Sequence, residues 1–521
     1  MERETQEEGW IRRIPLHIAP PSLKDNTADV DRLAKAIKKT LGIGDVAIDL
    51  SLAKKIPSLL RECKYGVQAV VYEGSLSWHL TGLFPLEGDH AIYGIAADLG
   101  TSTIALRLID LTSGEVKDET AFLNPQIDMG QDILTRIHFA SQDGGLQTLQ
   151  AVLIDRLNEE IGRLSERHGM EPDSLVGICA SGNTTMSHLF LGLDPYWICR
   201  EPYTPSVNKF DIIFAARLGL SIHPYAPVLV IPNVGSYLGG DLIAGILASG
   251  MTHREETSFL VDVGTNAEVV IGNREWLVGC AGAAGPALEG GVTRMGMMAG
   301  PGAINKALLD PDSGRFHLET IGSKPPMGIC GSGLIDLVAQ LFLAGMIDFR
   351  GKYVESRCGS RLREIDGIKH FVVVRSQDSA TGKDLTLSQN EIDSIIRSKA
   401  AMYTILSTIT QMTNVSIKEL SRFYIAGTFG TYMDARSAID IGMIPDLSLD
   451  IYKPLGNSSL AGATMALLSR AAKEEIYNIR DRVTYVELNV NQEFMTLFSA
   501  AKCIPHTDRS LFPSVKEWNS G

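Results

Sequence analysis

The stretch Asp98-Leu-Gly-Thr-Ser-Thr, inside AADLGTSTIALRLIDLTSGEV, returns in the second half of the chain as Asp262-Val-Gly-Thr-Asn-Ala, inside LVDVGTNAEVVIG. Each copy sets an acid, a glycine and small polar residues between two apolar runs, which reads as strand, tight turn, strand. Taken singly, either copy is a hairpin turn whose Asp finds a local partner. Two copies in register, one in each half, predict two similarly folded lobes. In each turn the Asp ends a buried strand, and a buried carboxylate needs a cation or a solvated cleft. The glycine permits a close backbone approach, and the Thr, Ser and Asn residues add donors. Such a nest suits phosphate oxygens, while the carboxylates suit a hydrated Mg²⁺.

A chain of 521 residues leads us to expect two to four compact units. Its net charge of −13 argues against a nucleic-acid surface, which needs clustered Lys and Arg. The cysteines, at 63, 179, 199, 280, 330, 358 and 503, form no C-x-x-C pair and no metal-ligand spacing. Their odd number reads as reduced thiols, and the expected location is cytoplasmic. The N-terminus, MERETQEEGWIRRIPL, is too charged for a signal peptide. The longest apolar stretch, VLVIPNVGSYLGGDLIAGILA, is broken by Pro232, Asn233, Asp241 and glycines, so it reads as a buried segment beside a site and not as a membrane span.

Four segments are expected. Residues 1–90 read as a linker and small α/β domain, in which DNTADVDRLAKAIKKTLG puts Val30, Leu33, Ile37 and Leu41 on one helical face and Gly42 at its end. GVQAVVYEGSLSWHL reads as two strands around Glu73-Gly74. Residues 91–250 and 251–465 are the two lobes, and 466–521 return to the core. DILTRIHFA, LQTLQAVLIDRLNEEIGRLSERHG, GSGLIDLVAQLFLAGMI and NEIDSIIRSKAAMYTILSTIT are helical, LVGICASGN is a strand, and SRFYIAGTFG is a strand running into a Gly turn. MMAG at 297–300 is assigned to the core.

Three further elements accompany the two turns. In FYIAGTFGTYMD, Gly427 and Gly430 let an adenine ring lie against backbone. NVGSYLGGDLIAGILASG precedes the second turn, and LGNSSLAGATMALLS gives a helix with a small-residue side that can pack closely and let lobes hinge. The order resembles the core shared by actin, sugar and acetate kinases and the heat-shock chaperone ATPases, which implies a two-lobed, ribonuclease H-like actin/hexokinase fold preceded by the small α/β domain. Within that superfamily, NPQIDMGQDILTRI, SGNTTMSHLFLGLDP, AGPALEGG, GICGSGLIDLVAQLFLAGMID, YIAGTFGTYMD and YVELNVNQEFMTLFSAAKCIPH resemble the reductive activators of corrinoid proteins. The resemblance runs from about residue 12 to about residue 510.

It implies an ATPase that returns the inactive Co(II) corrinoid protein of a methyltransferase or demethylase system to Co(I). That couple lies at very low potential, and a one-electron shortfall near 60 mV costs about 1.4 kcal/mol, so a coupled ATPase is physically reasonable. Family members commonly carry a plant-type ferredoxin module ahead of the linker, and its C-x₄-C-x₂-C run is absent here. The expectation is therefore no iron–sulfur cluster in this sequence and a separate low-potential donor, or else a shortened sequence. Carried onto matching positions, Asp98, Gly100, Thr101, Ser102 and Thr103 form the first phosphate turn. Asp262, Gly264, Thr265 and Asn266 form the second, and Gly427, Thr428 and Gly430 line the adenosine end. Asp98 and Asp262 would hold Mg²⁺ through water, and Asp241, Glu268 or Glu289 would orient the attacking water. Cys280 and Cys330 flank Gly-rich turns, but a small buried hydrophobe is the commoner role. His138 and His188 are assigned structural roles ahead of cobalt ligation. The partner set is a corrinoid protein and an electron donor, without nucleic acid or membrane, and a homodimer is an admissible assembly. A small-molecule kinase on the same core is the alternative. A chaperone-like ATPase is disfavoured, since no peptide-binding β-domain follows.

Overall fold

The computed structural model describes residues 9–88, 90–264, 266–282, 293–310, 315–488 and 494–516, the side chains of 428 and 429 excepted. Contacts divide the chain into two compact units, Met1–Ala248 with Ser459–Asp481, and Ser249–Ser458 with Arg482–Gly521.

The first unit opens with a four-stranded sheet in the order Ile11–His17, Gly66–Glu73, Trp78–Pro85, Val46–Ala47. The helix Asp29–Leu41 lays Leu33 and Ile37 fully buried against it, as their spacing predicts, and ends at Gly42 in the left-handed conformation. Trp10 ties this sheet to the rest of the unit. Its indole N–H donates to Ala466 O at 2.8 Å, and the Lys473 ammonium lies 4.7 Å from the ring centroid while donating to Glu73 O at 2.7 Å.

The larger sheet of this unit has six strands, ordered Val116–Leu123, Thr103–Asp110, Tyr93–Leu99, Leu175–Ser181, Pro227–Val230 and Ile213–Phe214. The first three are antiparallel to one another in turn, while Leu175–Ser181 runs parallel to Tyr93–Leu99 and Pro227–Val230 parallel to it. Helix Gly145–Arg167 packs Leu149, Leu153, Leu157, Ile161 and Leu164 into the core beside this sheet.

The second unit repeats the plan. Its six strands are ordered Tyr452–Gly456, Arg422–Ala426, Ser258–Val263, Ala267–Gly272, Leu277–Gly282 and Val483–Tyr485. Read from the hairpin outward, Ser258–Val263 and Ala267–Gly272 are antiparallel, Leu277–Gly282 follows antiparallel, and Arg422–Ala426 and Tyr452–Gly456 lie parallel on the other side. Strand order and directions match those of the first unit once the edge strands Ile213–Phe214 and Val483–Tyr485 are set aside. The repeated Asp-x-Gly-Thr device thus marks a duplicated sheet. Helix Gln389–Thr413, started by a capping box between Ser388 and Glu391, covers this sheet with Ile392, Ile395, Met402, Leu406 and Ile409.

Three local expectations are altered. The Gly turn after Arg422–Ala426 opens a short helix, Gly427–Tyr432. MMAG is not core, because Met298 is 52% exposed. Residues 466–521 do not stay together: the helices Ser458–Leu468 and Arg470–Arg482 pack with the first unit, while Val483–Tyr485 pairs with Leu277–Gly279 of the second. The stretch 228–248 forms the end of a strand and most of the helix Gly240–Ser249. Among the described residues no helix is long and apolar enough to cross a membrane.

Candidate active site

The first turn joins Tyr93–Leu99 to Thr103–Asp110. Asp98 sits at the C-terminal end of its strand, level with Ser181 on the parallel neighbour. Ser459 Oγ donates to Asp98 Oδ1 at 2.8 Å and stands 3.0 Å from Ser181 Oγ, so three chain segments fix this carboxylate. Gly100 cannot be replaced without distortion, since a Cβ there would stand 2.2 Å from Thr103 O.

The carbonyls of the turn are tied back one after another. Asn124 Nδ2 donates to Gly100 O at 2.9 Å, and its backbone N–H donates to Ser102 O at 2.9 Å. Arg136 Nη2 donates to Thr101 O at 2.6 Å. A trans peptide points its N–H opposite its carbonyl, so the amides of Thr101, Ser102 and Thr103 face away from these anchors. Successive amides presented together make an anion-binding nest.

Side-chain anchors complete the brace. Asn183, which caps helix Thr184–Leu191, donates from Nδ2 to Thr101 Oγ1 at 3.0 Å. Met186 Sδ lies 3.8 Å from Asn124 Nδ2 and 3.2 Å from Arg136 Nη1. The segments NPQIDMGQDILTRI and SGNTTMSHLFLGLDP therefore converge on one turn. Asp241 joins the same neighbourhood: its N–H donates to Gly182 O at 3.2 Å. A Cβ on Gly239 would lie 2.4 Å from Asn183 Cα and 2.5 Å from Asp241 Oδ1.

The second turn belongs to the other unit. Asp262 faces Glu268 across the antiparallel pair and Ala426 on the parallel side. Directly opposed residues of a strand pair share a face, and two carboxylates on one face repel unless a cation lies near. Gly264 N–H donates to Asn266 O at 2.9 Å, closing the turn. Gly427 has φ of 81°, and a Cβ on it would come within 3.1 Å of Asp262 Oδ1, so the glycine lets the strand end press against the acid. Gly430 packs on Ile425 O, which a Cβ would approach to 2.6 Å.

Within the first unit the structure thus brings together Asp98, Gly100, Thr101, Ser102, Thr103 and Asp241, and within the second Asp262, Gly264, Asn266, Glu268, Gly427 and Gly430. Thr265 and Glu289 lie outside the described residues, as does the side chain of Thr428. Asn124, Arg136, Asn183, Ser181 and Ser459 carry the geometry of the first turn without appearing among the expected site residues. In the sequence they are polar residues of the quoted segments, which do not show what they hold.

Cys280 and Cys330 behave as interior groups. All seven thiols are free, and burial pushes Cys280 up to about 12, which keeps it protonated and inert. Cys330 Sγ lies 3.4 Å from Ile304 O and 3.2 Å from Ser332 Oγ, inside the fold. His188 is buried with Nδ1 2.7 Å from Thr184 O, the contact of a structural imidazole, and burial lowers its pKa. Among the described residues no three His, Cys, Asp or Glu side chains converge as a metal site.

Comparison with known proteins covers nearly the whole chain. Residues 2–89 match the model of the RACo linker region, 93–254 that of the RACo middle region, and 256–516 that of the C-terminal domain of RACo, the ASKHA domain. The chain is 29% identical to the corrinoid activation enzyme RamQ of Eubacterium limosum, over 91% of this chain and 79% of that protein. It is 23% identical to the [Co(II) methylated amine-specific corrinoid protein] reductase of Methanosarcina barkeri, over 75% of this chain and 73% of that one. The solved structure of a reductive activator for corrinoid,iron-sulfur protein superposes with a TM-score of 0.90 at 36% identity, over 99% of this chain and 82% of the other. The likeness spans both braced turns and the helices between them, and the chain belongs to the RACo family of reductive activators of corrinoid proteins.

Proposed function

We propose that this protein hydrolyses MgATP to drive the one-electron reduction of a partner's Co(II) corrinoid to Co(I), using an electron from a separate low-potential donor. The observation that carries the reading is the coincidence of two things in one chain. A duplicated sheet holds an Asp-x-Gly-Thr turn in each unit, and the family likeness extends through all three of its regions. In this reading the amides of the first turn and of Asn266 bind the polyphosphate, while Gly264 shapes the second turn by its bond to Asn266 O. Asp98 and Asp262 are the residues that would hold Mg²⁺, which would supply charge neutralisation for phosphoryl transfer. Asp241 or Glu268 orients the attacking water, Glu289 being a third candidate, and Thr265, Thr428, Gly427 and Gly430 serve the phosphates and the adenosine. The balance is ATP and water to ADP and phosphate on one side, and Co(II) plus one electron to Co(I) on the other. Binding energy released and recovered through the nucleotide cycle can shift the partner between states only by its differential affinity for them.

The donor is taken to be a separate protein or chemical reductant, because the cysteines supply no cluster ligand run. The partner is taken to be a methyltransferase or demethylase corrinoid protein. The test is anaerobic absorption spectroscopy of candidate corrinoid proteins while ATP, donor and this protein are omitted one at a time. The expected result is Co(I), or methyl-Co(III) where a methyl donor is present, only in the complete mixture. A rate indifferent to ATP for every partner tested removes the coupling. Phosphate transferred to a sugar or carboxylate, in place of phosphate released, would favour the kinase alternative.

A further inference from the structure

Arg136 is fully buried, and among the described residues its guanidinium meets no carboxylate. Nε donates to Gly130 O at 2.8 Å, Nη1 to Gln126 Oε1 at 3.2 Å with Met186 Sδ also at 3.2 Å, and Nη2 to Thr101 O at 2.6 Å. The acid nearest in sequence, Asp132, is exposed and spends both oxygens on Thr135, as the cap of helix Ile133–Ala140, so its charge acts on the guanidinium without contact and offsets only part of the burial. These acceptors of the guanidinium are all neutral. A neutral amide can satisfy carbonyls and an amide oxygen, whereas a buried full charge costs several kcal/mol unless an opposite charge compensates it. Burial pushes its pKa down to about 10, which still leaves it charged at neutral pH.

We propose that Arg136 is the fixed positive charge against which the first turn binds polyphosphate. The charge that completes the compensation is then the ligand's own, arriving on the far side of the Thr101–Ser102 peptide. The inference rests on the MgATP reading and deepens it. Two features of the site support the assignment. The guanidinium bonds the carbonyl of the very peptide whose N–H is turned toward the nest, so its field adds to that peptide's dipole at the anion position. Its other bonds, to Gly130 and Gln126, lock it in place, so the charge needs no rearrangement when a ligand binds. Arg136 touches no reacting atom and acts through the turn, as a positioning residue with an electrostatic share. A purely structural brace would affect every nucleotide alike. A compensating charge must discriminate by the number of phosphates.

The experiment measures calorimetric affinity for AMP, ADP and ATP, each with Mg²⁺, in wild type, R136Q and R136K. The proposal expects the ATP-to-AMP affinity ratio of R136Q to fall by at least about tenfold, with AMP binding changed by less than about threefold. R136K, which keeps the charge but loses the planar fork, should retain most of the ratio even if its melting temperature drops. Equal losses for AMP and ATP in R136Q would overturn the proposal. So would an R136K that loses the ratio as R136Q does. Should R136Q not fold, R136K alone decides, since retention supports the charge role and loss refutes it. A wild-type protein that binds none of the three nucleotides refutes the MgATP reading itself, a result distinct from either outcome.

Discussion

Asp336→Asn is expected to stabilise the second unit at neutral pH and to leave it unchanged in acid. Asp336 lies in helix Gly331–Leu343, only 2% exposed, with Oδ1 lacking a hydrogen-bond partner. Burial raises its pKa from the ordinary 3.8 to about 6, partly offset by Ser437, and Asp434 adds to the rise. Below pH 3.8 both folded and unfolded chains hold the proton and burial of the charge costs nothing. Between 3.8 and 6 the unfolded chain releases the proton while the folded one keeps it, so stability falls as pH rises. Above about 6 both states are ionised and the full cost stands. Each tenfold change in proton affinity is worth about 1.36 kcal/mol, so the cost is about 3 kcal/mol, which a carboxamide of the same shape escapes. That corresponds to a rise in melting temperature of roughly 6–12 °C at most for a unit of this size. Differential scanning calorimetry of wild type and D336N at pH 4 and pH 7.5 reads it directly. A difference between the two proteins that is the same at both pH values would refute the charge argument.

Other outcomes follow from the site. Asp262→Ala should abolish ATP hydrolysis more completely than nucleotide binding, because the carboxylate is assigned to the metal waters and not to the base; steady-state turnover beside equilibrium binding checks this, and wild-type-like turnover would remove the assignment. Gly100→Ala should lose nucleotide affinity by about tenfold or more, since its Cβ would stand 2.2 Å from Thr103 O and force the nest open, and fluorescence titration with a nucleotide analogue would show it. Ser459→Ala removes the hydroxyl that joins Asp98 to Ser181, and chemical denaturation should show a loss of about 1–2 kcal/mol. Anaerobically purified protein is expected to contain no stoichiometric iron or acid-labile sulfide, which metal and sulfide analysis would settle.

Much of the fold is legible because periodicity and turn chemistry are local. Leu33 and Ile37 recur at helical spacing and pack as that spacing requires, and the two Asp-x-Gly-Thr turns fall at equivalent strand ends of a duplicated sheet. What a segment packs against is not local. The small-residue helix Ser458–Leu468 shows its composition in the sequence but not its target, which is helix Gly240–Ser249, approached so closely that a Cβ on Gly462 would stand 2.1 Å from Ala244 O. The brace of the first turn is hidden for the same reason. Asn124, Arg136 and Asn183 are visible as polar residues in family-like segments, yet the carbonyls and hydroxyl they hold belong to residues 100–102. Met298 shows the converse limit, since an apolar residue in a Gly-rich strip need not be interior.

The way the chain crosses between its units has a consequence for how the protein is made. Asp98 and Ser459, bonded in the finished first unit, are 361 residues apart. The second unit is in turn unfinished until Val483–Tyr485 emerges to pair with Leu277–Gly279. At about 5–20 residues per second a ribosome takes roughly 20–70 s to cover the first of those gaps. For that interval the first sheet stands in the cell with its closing helices unmade and the apolar surface they will cover open to water. Neither unit can be finished by folding from the N-terminus alone. The nascent chain should therefore depend on holding chaperones more than a protein of two consecutive domains of the same size, and cutting the gene between residues 248 and 249 should yield two insoluble halves.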